Sequence, residues 1–270
     1  MQTLSEIKSL LHERGLRPRH RFGQNFLHDH HHLKRLVQSA GLCPGDVVLE
    51  VGPGTGTLTE ALLDAGAEVV AAEIDRDLAD LIAHRFGAKV QLILGDCLGR
   101  ARQLSDALCE ALGGRPFHLV ANLPYQVASP LMTELLMHHP LCVGQCVTIQ
   151  REVADRLVAV PGTKAWGPLS ILVQDLADVE LLATVPAACF WPAPKVVSAM
   201  VAIRPHQQRD DDIDGFASFV TTLFTTRRKQ LGGVLGRDVV AGAGVDPASR
   251  CESLDLDALH RLHAAVRSHN

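Results

Sequence analysis

From Asp46 onward the chain alternates short apolar runs with segments whose apolar residues recur at helical spacing. The runs Val47–Val51, Val69–Ile74, Val90–Leu94, Leu119–Ala121 and Cys146–Ile149 predict strands. The stretches between and after them predict helices near Thr57–Ala65, Asp77–Arg85, Gln103–Ala111, Pro130–His138 and Glu152–Val160. A βαβ succession of this kind implies an α/β fold around a largely parallel sheet. Two further strands are expected at Val179–Thr184 and Val197–Ile203. The loop between them, Pro186 to Pro194, carries three prolines, which fix its backbone and bar it from a central strand. Beyond Pro205 the polar run Arg209-Asp210-Asp211-Asp212 reads as a linker, and Phe216–Phe224 and Leu254–Val266 return to helical periodicity. Ala241–Gly244 reads as a flexible connection between them. The expected division is a large α/β domain at 1–204 with a basic N-terminal arm, and a small helical domain at 205–270.

Composition narrows the class. Of 270 residues, 47% are hydrophobic and 21% charged, which excludes a disordered chain and points to a globular one. No run approaches the roughly 18 apolar residues of a membrane span, and Met1–Gly15 has no signal-peptide core, so a cytoplasmic protein that does not engage membranes is expected. Seven cysteines without a Cys-x-x-Cys pair read as reduced thiols. The net charge of −4 argues against a general nucleic-acid coat, but residues 1–35 hold seven Lys/Arg against three acids. A polyanion could dock on local patches such as that one.

The first strand runs into Gly52-Pro53-Gly54-Thr55-Gly56 and then a helix. Glycines admit a ligand close to the backbone, and the helix N-terminus offers unpaired N–H groups, so Gly52, Gly54 and Gly56 are candidate cofactor residues. The strict dinucleotide fingerprint would need glycine at Thr57, which disfavours NAD. Glu73, about twenty residues on, sits where a carboxylate can accept both ribose hydroxyls of an adenosine-containing cofactor. Gly95-Asp96-Cys97 brings a second carboxylate to the same sheet edge, suited to an exocyclic adenine amine. The bland alternatives are a tight turn, a surface acid and a helix N-cap.

The fourth strand ends in Asn122-Leu123-Pro124-Tyr125. An asparagine carbonyl and a backbone carbonyl aimed at one point can accept two hydrogen bonds from an amino group, while Tyr125 offers a ring face to a base. Standing alone, the tetrapeptide is equally an Asx turn with a buried tyrosine.

Together these segments resemble the KsgA-type small-subunit ribosomal RNA adenine dimethyltransferases, relatives of the Erm-type resistance methyltransferases. The similarity covers most of the chain. It runs through Arg21–Leu27, Glu50–Gly56, Glu73–Leu78, Gly95-Asp96, Asn122–Tyr125, Gln150–Val153, Phe190–Val196 and Arg227–Lys229. It implies a Rossmann-like S-adenosylmethionine-dependent methyltransferase sheet with a small C-terminal helical domain. The implied reaction converts two adjacent adenosines near the 3′ end of 16S rRNA, in the small ribosomal subunit, to N6,N6-dimethyladenosine. By that resemblance Asn25 and Leu27 approach the methionine end of the cofactor with Gln24 nearby, Gly52, Gly54 and Gly56 line its middle, Glu73 holds the ribose and Asp96 the adenine, and Ile74 and Cys97 are further cofactor-binding residues. Asn122 lies between cofactor and base with Leu123 and Pro124, and Tyr125 and Phe190 sandwich the flipped adenine. Arg21, Lys195, Arg227, Arg228 and Lys229 are the expected RNA contacts, and the protein is expected to be a monomer.

Ala193 stands where the family usually has a third proline, and Val197 where it commonly has an acid. The run His28-Asp29-His30-His31-His32 invites a metal, but consecutive histidines on a helix spread around it, so none is expected. Three rivals remain: an Erm-type enzyme acting on the large subunit, a non-catalytic ribosome-assembly or transcription factor, and an NAD-dependent oxidoreductase.

Overall fold

The computed structural model describes residues 1–207 and 212–269. Residues 209–211 of the expected linker lie outside them. The chain divides into two compact units, Met1–Ala154 with Val179–Pro205 and Asp155–Asp178 with His206–Asn270. The second unit thus takes in residues 155–178, which the sequence reading assigned to the large domain.

In chain order the first unit contains α1 (Leu4–Glu13), β1 (Phe26–Leu27), α2 (His30–Ser39), β2 (Val47–Val51), α3 (Thr57–Asp64), β3 (Glu68–Glu73), α4 (Arg76–Phe86), β4 (Val90–Leu94), α5 (Asp106–Leu112), β5 (Phe117–Asn122), α6 (Tyr125–His138) and β6 (Cys142–Gln150). α7 (Arg151–Leu157) crosses between the units; α8 (Pro168–Leu176) belongs to the second, and most of β7 (Ala177–Val185) to the first, with β8 (Phe190–Trp191) and β9 (Ser198–Pro205). The main sheet has the order β4-β3-β2-β5-β6-β9-β7. Its four pairings from β4 to β6 are parallel, and β6 meets β9 antiparallel at its far side. All five residues of β2 are buried, including Glu50, as expected for a parallel strand covered on both faces. The strand order reverses at β2, and in an open α/β sheet ligands bind beyond the carboxyl ends of the strands at such a switch point.

Helices α1 and α2 lie outside the sequence expectations, yet both carry local start signals. Thr3 and Glu6 form a reciprocal capping box, and the Asp29 carboxylate accepts the His32 N–H at 2.9 Å. Both helices pack apolar residues (Ile7, Leu11, Leu33, Leu36) into the core shared with β2 and β3. The helix expected at Pro130–His138 begins earlier, at Tyr125; Pro130 reads as a first-turn residue but lies inside it. The helix expected at Gln103–Ala111 starts at Asp106, after a 3-10 turn at Arg100–Arg102.

The second unit gathers α8, α9 (Ile213–Thr225), α10 (Leu231–Leu235), α11 (Arg237–Gly242) and α12 (Leu256–His269) around a core of its own that includes Trp166, Phe216, Val220, Leu259 and Leu262. Trp166 donates its indole N–H to the Leu254 carbonyl at 3.1 Å, satisfying the one polar atom of the largest buried side chain. Helix α11 ends inside the segment expected to be a flexible connection. Among the described residues no helix is long and apolar enough to cross a membrane, and all seven cysteines are unbridged.

Candidate active site

The carboxyl ends of β2, β3, β4 and β5 open onto a cavity of about 870 Å³, within the usual range for small-molecule sites. One wall is the turn from β2 into α3. Gly52, Gly54 and Gly56 all have positive φ (73°, 60° and 85°), a conformation that side chains other than glycine adopt with strain. Space also excludes side chains there: a Cβ on Gly54 would fall 2.9 Å from the Phe26 ring, and one on Gly56 2.5 Å from Phe86.

Glu73 closes β3 directly beside this turn. Its carboxylate is 4% exposed and accepts the backbone N–H of Asp75 at 2.9 Å and of Gly54 at 3.3 Å. Burial raises its pKa to about 6, against the lowering effect of those two amides. At neutral pH it is therefore mostly an anion facing the cavity. Glu50, on the neighbouring strand, is buried more completely, and burial with the nearby Glu73 charge raises it to about 8. It is mostly protonated at neutral pH, and Thr59 Oγ1 donates to it at 2.6 Å, tying α3 back to β2. Glu50 was visible in the sequence only as part of the glycine motif. Nothing in the linear pattern marked its protonation state.

Ile74 and Asp96 also line the cavity. Ile74 is 48% exposed, an apolar side chain left uncovered on the wall, and the exposed Asp96 accepts the Leu98 N–H in a local turn at 3.0 Å. Cys97 is buried, and burial first, then the neighbouring Asp96 charge, pushes its thiol up to about 12, so it packs rather than reacts.

Asn122, also on the cavity wall, donates its side-chain amide N–H to the Asn25 carbonyl at 2.9 Å. That bond fixes the rotamer and leaves the amide oxygen as the acceptor on the cavity side. The Leu123 N–H is anchored to the Thr148 carbonyl at 3.0 Å, and Tyr125 pairs its hydroxyl with Ser198 at 3.3 Å. Asn25 and Leu27 reach this place because Phe26–Leu27 forms an antiparallel ladder with Phe190–Trp191, Leu27 opposite Phe190. Phe190 is 4% exposed and lines the cavity.

Residues 15–261 match the family of ribosomal RNA adenine dimethylases. The chain belongs to that family. The ribosomal RNA small subunit methyltransferase A of Magnetococcus marinus is 41% identical, with 97% of this chain and 96% of that one covered. Its counterpart from Thermosynechococcus vestitus is 40% identical over 93% of this chain and 98% of that one. Among solved structures, a dimethyladenosine transferase from Plasmodium falciparum has TM-score 0.73 at 23% identity, over 88% of this chain and 95% of that one. The 23S rRNA methyltransferase ErmE has TM-score 0.66 at 24% identity, over 90% and 100%. These two establish a common fold, the Rossmann-like methyltransferase sheet expected from the sequence.

Within this adenine dimethylase, several expected residues do other work than the motif suggests. Gln24 lines the cavity, but its amide is spent on structure: Nε2 donates to Asp75 at 2.8 Å and Oε1 accepts the Arg19 N–H at 2.7 Å. Arg19 in turn pairs with Asp75 and Asp77 at the start of α4. The sequence did not single out Arg19, because its acids lie more than fifty residues away. Arg227, Arg228 and Lys229 stand in the turn after α9 and not on a helix face. Arg227 is committed to Glu252 at 2.5 Å and to the carbonyls of Thr163 and Lys164, whereas Arg228 and Lys229 are exposed. Arg21 and Lys195 are exposed as well, Arg21 lying over the Phe22 ring.

Proposed function

We propose that this chain transfers methyl groups from S-adenosylmethionine to N6 of two adjacent adenosines near the 3′ end of 16S rRNA, acting on the small ribosomal subunit in the cytoplasm as a monomer. The observation that carries the reading is the side chain of Asn122, held by the Asn25 carbonyl at the end of β5 with its oxygen left to accept a proton donor in the cavity. Membership of the adenine dimethylases and the names of the bacterial relatives support the base and the subunit.

The residues present fit the cofactor. A buried, mostly ionised carboxylate beside a glycine turn matches a ribose diol, the uncovered Ile74 and Asp96 match an adenine face and its amine, and the Asn25–Leu27 strand matches the amino-acid end. When bound, S-adenosylmethionine supplies a methyl group made electrophilic by its sulfonium. Asn122 Oδ1 and the Leu123 carbonyl would each accept one N–H of the target amine, turning the nitrogen lone pair toward that methyl. Tyr125 and Phe190 would hold the base by stacking, replacing the neighbours lost on flipping. No strong base is needed during attack, because the nitrogen sheds its proton to solvent once it carries the positive charge. Orientation and water exclusion supply most of the acceleration.

The test is methyl transfer from labelled S-adenosylmethionine to unmethylated small and large subunits in parallel, with nucleoside analysis and mapping of the modified position. Dimethyladenosine confined to the small subunit is the expected outcome. Label on the large subunit would transfer the assignment to the Erm-type reaction, and cofactor binding without transfer to either would leave an assembly factor.

A further inference from the structure

Outside the cavity, at the start of α2, one ligand atom each from Asp29, His32 and Cys189 lies within 4.8 Å of the others. Asp29 and His32 come from the histidine-rich run, and Cys189 from the proline loop 157 residues beyond His32. His32 Nδ1 is 2.7 Å from Asp29 Oδ1 and 3.8 Å from Cys189 Sγ. A Cys–His–Asp relay would place thiol and carboxylate on opposite ring nitrogens. Here both approach the same nitrogen, whose one proton or lone pair serves Asp29 at 2.7 Å and leaves Cys189 at 3.8 Å, which is not a relay. Three donor atoms within 4.8 Å of one another suit a cation. With metal–sulfur and metal–nitrogen bonds of ordinary zinc length, a tetrahedral angle separates sulfur and nitrogen by about 3.6 Å, close to the distance observed.

We propose that Asp29, His32 and Cys189 form a binding site for a borderline-soft divalent cation of the zinc and cobalt class, with water in the fourth position. One thiolate, one imidazole and one carboxylate select such ions over magnesium or calcium, which take oxygen ligands. On binding, the Cys189 thiol gives its proton to solvent, His32 presents the Nδ1 lone pair with its proton on Nε2, and the Asp29–His32 hydrogen bond opens by several tenths of an ångström to admit the ion. The site acts as a brace. The His28 N–H already donates to the Cys189 carbonyl at 3.0 Å, and Leu27 pairs with Phe190. A metal would fasten through side chains the same two segments that this ladder joins through backbone. The expectation of no metal rests on a methyl transfer that needs none and on the spread of the His28–His32 run around a helix. Of its four histidines only His32 joins the cluster, and the thiol is supplied from elsewhere in the chain.

The test uses tag-free, chelator-treated full-length protein titrated with cobalt(II) chloride and followed by absorption. One equivalent should produce visible bands of tetrahedral intensity together with a sulfur-to-cobalt charge-transfer band. Cys189→Ser should abolish the charge-transfer band while Cys43→Ser keeps it, and His32→Ala should weaken cobalt binding by about tenfold or more. Circular dichroism of the metal-free variants checks folding. If Cys189→Ser does not fold, alkylation of the unmutated chain gives the same answer: zinc should protect Cys189 from iodoacetamide, read by peptide mass spectrometry. Cobalt binding without a thiolate band, a band that survives Cys189→Ser, or unprotected Cys189 under saturating zinc would each overturn the proposal.

Discussion

Glu50 and Glu73 are two buried carboxyls on adjacent strands, and their surroundings set them apart. Burial raises both: two backbone amides hold Glu73 near 6, whereas Glu50, buried more completely and beside the Glu73 anion, reaches about 8 despite the Thr59 hydrogen bond. Both lie above the ordinary 4.5, so the folded chain binds protons more tightly than the unfolded one. Stability therefore falls as pH climbs from about 4.5 to about 8, the Glu73 share by about 6. Glu50→Gln should flatten that slope in thermal melts, since the amide keeps the Thr59 contact and cannot ionise. Cofactor affinity should move the other way. It should weaken as pH drops through about 6 and Glu73 loses its charge, and calorimetric titration of Glu73→Gln should show affinity lower by about 10- to 100-fold and independent of pH. At Asn122 the prediction separates binding from chemistry. Asn122→Ala should retain cofactor binding and lose about 10²-fold or more of single-turnover methyl transfer, because the amine is no longer oriented. Retained transfer would refute its role.

Elements position these residues through backbone constraints that tolerate little change. At Gly54 a methyl group meets both a positive φ and the Phe26 ring. Gly54→Ala should cost about 1–3 kcal/mol in chemical denaturation and abolish measurable cofactor binding, since the turn must move to accommodate it. The β1–β8 ladder is short, two residues on each side, so the segment before it needs other anchors. Arg19 and Gln24 provide them by gripping Asp75 at the start of α4. Arg19→Ala should leave the sheet intact and raise amide exchange across residues 20–28, measured by hydrogen–deuterium exchange. The glycine turn and the strand before it were legible from the sequence because their cause is local: positive φ and an apolar run. The Arg19–Gln24–Asp75 lock was not, because its members are separated by half a hundred residues and meet only when α4 is in place.

At the scale of the whole molecule, charge is distributed in patches on a chain of net −4. Arg228 and Lys229 are exposed in the second unit, while Arg227 beside them is consumed by Glu252 and two carbonyls. The three therefore should not behave alike. Replacing Arg228 and Lys229 together by alanine should weaken substrate binding and reduce the slope of log affinity against log salt by about 1.4–1.8, as expected for two lost phosphate contacts. Arg227→Ala should instead lower the melting temperature, with little change in that slope. Filter binding over a salt series and thermal melts separate the two classes.

Legible in the sequence were the α/β succession, the glycine turn, the Glu73 carboxylate at the end of β3 and the Asn122–Tyr125 segment that leaves β5. Periodicity, glycine spacing and strand ends are properties of neighbouring residues, and neighbours are what a sequence lists. Folding alone makes Glu50 mostly protonated and Glu73 mostly ionised at neutral pH, gives Gln24 and Arg227 their structural partners, and brings Cys189 to Asp29 and His32. Protonation depends on burial, and hydrogen-bond allegiance on which distant groups folding brings within about 3 Å.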